Sequence, residues 1–157
     1  MNNDADIYEK LVADYKPEQS LQERSNISTQ EKGKRYKAAV KPKRQTVVFQ
    51  VDGCIVKDGC KCDKLILSKD VTDESKWYAH FIELKGHDVT HALKQLKTTL
   101  NYRIFKDPSI TKRFARVVGS SYPSSAGNPE FEKLRISFKK DLKCELKTLK
   151  SDQPDTI

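Results

Sequence analysis

A chain of 157 residues with 36% hydrophobic and 33% charged side chains can bury one core and is too short for two comfortable ones. No apolar run approaches the ~20 residues that cross a bilayer, and the N-terminus lacks the basic and apolar blocks of a secretory leader, so a cytoplasmic protein with no membrane partner is expected. Lys and Arg outnumber Asp and Glu by 30 to 22, and the resulting +8 charge favours a polyanionic partner through counterion release without separating binding from cutting.

Ile7, Tyr8, Leu11, Val12 and Tyr15 recur at helical spacing and predict a first amphipathic helix over 5–15. From Pro17 to Pro42 the pattern turns polar. Between Lys32 and Arg44 stand seven basic residues, Lys32, Lys34, Arg35, Lys37, Lys41, Lys43 and Arg44, with no acidic one among them. This segment reads as a loop or arm. Such charge runs are often merely solvated, but beside a phosphodiesterase site these side chains would contact a nucleic-acid backbone.

Residues 46–56 are rich in β-branched and aromatic types, and Lys57-Asp58-Gly59 supplies a turn signal, so a hairpin follows whose second strand is Cys62 to Leu67. Cys54, Cys60 and Cys62 flank that turn. They lack the repeated C-x2-C pairs of a structural zinc site, and the expectation is reduced, mostly buried thiols. A third strand spans Trp77 to Lys85. Asp88 can cap a helix whose stripe is Val89, Ala92, Leu93, Leu96 and Leu100. Arg113–Val118 reads as a fourth strand, 120–129 as a loop, Phe131, Leu134, Phe138 and Leu142 as a helix face, and Cys144–Leu149 as a closing strand. The expected organisation is one domain: helix and basic arm over 1–44, an α/β core over 45–150 with a mixed central sheet flanked by helices, and a polar tail over 151–157.

The chemistry concentrates on the third strand. Tyr78, His80, Ile82 and Leu84 form one mostly apolar face, and Trp77, Ala79 and Phe81 begin the other, which ends in Glu83 and Lys85. A carboxylate and an ammonium at the end of an inner strand are costly without partners, and a hydrated divalent cation is a natural third party. Asp63 opens the apolar strand Leu65-Ile66-Leu67 and can return beside Glu83 through the hairpin. Asp63, Glu83 and the Leu84 carbonyl would suit Mg²⁺, which prefers oxygen ligands and keeps several waters. Lys85 would then orient or help deprotonate an attacking water in phosphodiester hydrolysis. Asp52 ranks below Asp63 because Asp52-Gly53 marks a turn or bulge. His80 sits among core residues, and His87 and His91 follow in a loop and on a helix, so satisfied or solvated histidines are expected there.

Cys62-Asp63-Lys64-Leu65-Ile66-Leu67 followed by Phe81-Ile82-Glu83-Leu84-Lys85-Gly86 resembles the PD-(D/E)xK nuclease superfamily, over about 45–100. Cys62 stands where the motif's name has Pro. The resemblance implies a restriction-endonuclease-like fold in which the Asp begins the second strand of a hairpin, and the Glu and Lys share the third. A helix then follows, carrying a polar residue toward the site. Gln95 matches that polar residue, and Glu9, Glu23 and Glu31 are open candidates for the family's additional acidic ligand. The implied activity is that of a Mg²⁺- or Mn²⁺-dependent DNA endonuclease, working as a homodimer because cutting both strands needs two sites. A ribonuclease, or a catalytically silent nucleic-acid-binding or interaction module, is the alternative.

Overall fold

The first helix, α1 (Ile7–Asp14), starts at a capping box: the Asp6 carboxylate accepts the Glu9 N–H at 2.8 Å, while the Glu9 carboxylate accepts the Asp6 N–H at 3.3 Å. Its stripe buries Ile7 and Leu11, and Trp77 Nε1 donates to the other Asp6 oxygen at 3.0 Å, fixing the helix start to the sheet. The computed structural model describes residues 5–31, 33–56, 62–84, 89–119 and 129–157, the side chains of 89, 90 and 130 excepted.

Among the described residues, seven strands form one mixed sheet: β1 (Gln19–Glu31), β2 (Lys34–Gln50), β3 (Lys64–Lys69), β4 (Trp77–Leu84), β5 (Ile110–Gly119), β6 (Cys144–Lys150) and β7 (Pro154–Thr156). The spatial order is β1-β2-β3-β4-β5-β6, with β7 paired to β2. The first four pair antiparallel, whereas β4, β5 and β6 run parallel. Parallel neighbours need crossovers, and these are supplied by α2 (Val89–Leu100) and α3 (Pro129–Asp141). β4 is buried along its whole length, as the two-faced reading of Trp77–Leu84 requires.

The faces separate into two clusters. Trp77, Ala79 and Phe81 of β4 join Ile7 and Leu11 of α1, Ala92, Leu93, Leu96 and Leu100 of α2, and Phe131, Phe138 and Leu142 of α3. Ile82 and Leu84 point the other way, onto Ile27, Tyr36, Ala38 and Val40. Helices α1, α2 and α3 therefore pack on one face. The opposite face is covered by the far half of the β1–β2 ribbon, folded back where the register shifts between Arg24 and Asn26.

That ribbon is where the structure departs most from the sequence reading. The arm expected to be irregular is two long strands, because Ile27 and Thr29 on β1 and Tyr36, Ala38 and Val40 on β2 alternate with more exposed residues and bury one face. The expected tail at 151–157 contains β7, which lies parallel to β2 in register Ala38↔Asp155. Asp155 is buried. It accepts from Tyr36 Oη at 2.7 Å and from Arg116 Nε at 2.8 Å. Burial alone would raise the Asp155 carboxyl, but Arg116 and these hydrogen bonds hold it below its ordinary value.

Beyond Gln50 the chain turns rather than extending to Val56: Gly53 takes φ +80°, the left-handed conformation expected of an Asp-Gly turn. The turn expected at 57–59, the cap expected at Asp88 and most of the loop expected at 120–129 lie outside the described residues. No helix among the described residues is long and apolar enough to cross a membrane.

Candidate active site

Asp63 and Glu83 meet through backbone geometry. Asp63 lies just before β3, where its N–H donates to Ile82 O at 3.1 Å and its Oδ2 accepts the Leu84 N–H at 2.7 Å. The two bonds straddle Glu83, so the Asp63 carboxylate sits directly against the end of β4. Both residues are inaccessible, Asp63 at 1% and Glu83 at 0% exposure. Asp63 Oδ1 is buried with no hydrogen-bond partner, an expensive state for a carboxylate oxygen.

Helix α2 is tied to the same point. The Thr99 hydroxyl donates to Gln95 O at 2.7 Å and accepts the Cys62 N–H at 2.8 Å, locking the helix to the residue before Asp63. Gln95 is 9% exposed, and its side-chain Oε1 is buried without a partner. Burial first, and then the charges of Glu83 and Asp63, push the Cys62 thiol well above its ordinary pKa, which places that sulfur in the field of both carboxylates.

A third carboxylate joins from the ribbon. Glu31, at the end of β1, has its pKa raised by burial and then by the charge of Asp63, with Lys64 opposing. Of Glu9, Glu23 and Glu31, the structure brings Glu31 to Asp63. Glu9 is spent on the α1 cap, and Glu23 is exposed on β1. The signal was available in the alternation Ile27, Thr29, Glu31, which puts all three on the ribbon's inner side. Lys64 was missed as well. It is 4% exposed, and its ammonium binds Glu18 Oε1 and Gln50 Oε1. Glu18 in turn accepts from Thr29 Oγ1 at 2.8 Å, so this network clamps the ribbon to the central strands beside the site.

Lys85 and Lys32 lie outside the described residues. Of the remaining basic set, Arg35, Lys37, Lys41 and Lys43 are exposed and Lys34 is half-buried. Arg44 is buried, with its guanidinium donating to Lys69 O at 2.7 Å and Pro42 O at 3.0 Å, so it is occupied inside the fold. His80 is a core histidine, bonded to Ser68 at 2.9 Å and stacked on Phe114 at 4.9 Å, and His91 is exposed. Cys54 is exposed while Cys62 and Cys144 are buried free thiols. Asp52, the rival acidic ligand, is drawn into the turn by its N–H to Asp63 O at 3.5 Å.

Among the described residues, no group of three or more His, Cys, Asp or Glu side chains is arranged so that it could hold a metal ion. No protein-family model matches the chain, nor does any curated protein or solved structure.

Proposed function

We propose that this protein is a metal-dependent nuclease of the restriction-endonuclease-like type, hydrolysing phosphodiester bonds in DNA, as a cytoplasmic homodimer. The observation that carries the reading is Asp63: one carboxylate oxygen is fixed by the Leu84 N–H, and the other is buried with no partner, against Glu83 at the end of an inner strand. A fold tolerates such an oxygen when it serves a ligand. The order of elements supports the same reading, since Asp63 precedes the second strand of a hairpin, Glu83 ends the third, and a helix carrying Gln95 follows.

The donors fit Mg²⁺ or Mn²⁺. These hard cations take one or two carboxylates and complete their shell with water and phosphate oxygens, so a closed protein cage is not required. Asp63, Glu83 and the Leu84 carbonyl would hold the ion, with the Glu31 charge close to Asp63. When bound, the metal would lower the pKa of a water and offset charge on the phosphoryl oxygens. The protein's own part is positional. The Leu84 N–H sets the Asp63 carboxylate, Thr99 sets α2 and hence Gln95, and the Lys64 network sets Glu31. Lys85 would orient the attacking water and help take its proton.

Incubating the pure protein with duplex, branched and single-stranded DNA and RNA, in Mg²⁺ or in EDTA, tests the reading. Cleavage should require metal and disappear in Asp63→Asn and Glu83→Gln, whereas Lys85→Ala should lose turnover and keep metal binding. Full Mg²⁺-dependent activity in Glu83→Gln would overturn it, and nucleic-acid binding without cleavage under every condition would identify a silent module.

A further inference from the structure

We infer that the cation-lined trough between helix α3 and the starts of β5 and β6 binds a single strand of nucleic acid. That the occupant is nucleic acid rather than another polyanion rests on the nuclease reading, whereas the site's preference for a polyanion does not.

Two hollows meet in this corner. One, of about 440 Å³, lies between Arg135 and Lys139 of α3 and Lys112 and Phe114 of β5. The other, of about 300 Å³, lies beside Lys106, and the two share Thr111, Arg113 and Lys143. Against these six cations stand two carboxylates, and both are committed: Asp107 to Lys10 Nζ at 2.5 Å, and Glu145 to Arg116 Nη2 at 3.4 Å. Two of the cations are structural. Arg113 donates to Leu100 O at 2.8 Å and to Leu142 O, tying the ends of α2 and α3 together, and Arg135 Nη2 donates to Glu132 Oε2 at 2.8 Å. Lys112 stands 5.3 Å from the Tyr78 ring centroid. Among the described residues, Lys106, Lys139 and Lys143 have no carboxylate partner.

Lys143 distinguishes this corner from a merely solvated one. It follows α3 in the left-handed conformation, φ 52°, where helices favour glycine because a Cβ is strained there. Its charge would ease the terminal carbonyls of α3, but Arg113 already serves Leu142 O, so that role does not require it. A lysine held in a strained conformation at the point where both hollows meet is retained for its side chain. The lining then divides by chemistry. Lysines serve phosphates, while half-buried Phe114 and buried Leu146 give sugars and bases an apolar floor, the combination that binds single strands with little regard to sequence. Hollows of this size enclose a ligand of drug-like dimensions, so they take one strand rather than the side of a duplex. Lys112 pairs with Tyr78, five residues before Glu83 on β4. At roughly 3.3 Å per residue, the bound strand is held about 17 Å along the sheet from the acidic centre.

The test uses the full chain in EDTA, with binding read by anisotropy on a labelled oligothymidylate of about 12 nucleotides across a salt series. Lys139→Ala/Lys143→Gly should lower the slope of log affinity against log salt by about 1.4, because each lost contact to a single strand removes about 0.7. The melting temperature should stay at or above that of the wild type, since glycine relieves the left-handed position. Lys133→Ala/Lys140→Ala, an equal charge loss on the side of α3 turned away from the trough, should leave the slope unchanged. On a blunt duplex, wild type and the Lys139/Lys143 variant should share one slope. An unchanged single-strand slope in that variant, an equal fall in the Lys133/Lys140 variant, an equal fall on the duplex, or a polyglutamate peptide bound as tightly as the oligonucleotide would overturn the inference. Cleavage in Mg²⁺ by a protein whose trough variant binds single strands as wild type does would sink the trough and spare the nuclease. Trough-dependent binding with no cleavage of any substrate in Mg²⁺ would do the reverse.

Discussion

Acid should destabilise this protein earlier than its carboxylates alone would, because of His80. Its ring is sealed between Ser68 and Phe114, with Arg116, Arg44 and Asp155 as the charges that face it. Burial first, and then the positive charge of Arg116, pull its pKa from 6.5 down to about 3. The imidazole therefore stays neutral in the fold while the unfolded chain takes up a proton near 6.5. A depressed histidine contributes stability above the unfolded pKa, and that contribution is lost as pH falls towards the folded one. At ~1.36 kcal/mol per pH unit the loss is about 2 kcal/mol between pH 6.5 and 5 and about 4 kcal/mol by pH 3. The upper window is decisive, because few carboxylates titrate there. Urea unfolding at pH 7.5, 6.5, 6.0, 5.5 and 5.0 should give a wild-type curve that falls by about 2 kcal/mol. Ser68→Ala/His80→Phe, which removes the titration without stranding the serine hydroxyl, should stay nearly level. Parallel curves for the two proteins would refute the reasoning.

Glu31→Gln should stabilise the metal-free protein at pH 7. Its raised pKa means that stability present below the ordinary carboxylate range is lost as pH rises through the folded value, so the two melting temperatures in EDTA should converge near pH 4. Asp155→Ala should cost about 3 kcal/mol in denaturant titration, because it removes the buried carboxylate from Arg116 and leaves only the half-exposed Glu145 opposite the guanidinium. Alkylation of the native protein at pH 8 followed by peptide mapping should label exposed Cys54 and spare Cys62, whose thiol is buried beside Glu83 and Asp63; native-state labelling of Cys62 would contradict the burial.

The elements read most directly from sequence were those with one dominant period. Leu11 and Ile7 on α1, and Ala92, Leu93, Leu96 and Leu100 on α2, announce a single buried stripe, and the strand over Trp77–Leu84 announces burial on both faces. Asp63 and Glu83 could be paired because the hairpin return sets their register. The ribbon was obscured because its inner positions include small and polar types, Ala38, Thr29 and Glu31, between strongly charged outer ones. Composition outweighed a period of two that was present. Lys64 and Asp155 could not be read as buried from sequence, since each is made tolerable by partners remote in the chain: Glu18 and Gln50 for the lysine, Tyr36 and Arg116 for the aspartate.

The latch at β7 has a consequence for the order in which the molecule is assembled. Tyr36 and Asp155, joined at 2.7 Å, are 119 residues apart in the chain. During synthesis the ribbon therefore leaves the ribosome well before the segment that pins it to the sheet face, a closure of long sequence separation and correspondingly slow formation. Until then the central strands can pair and the Lys64 network can hold the end of β1, while Tyr36 lacks its buried acceptor. A polypeptide truncated before Asp155 should keep its helices and central sheet yet leave Tyr36 and Arg116 without the carboxylate that joins them.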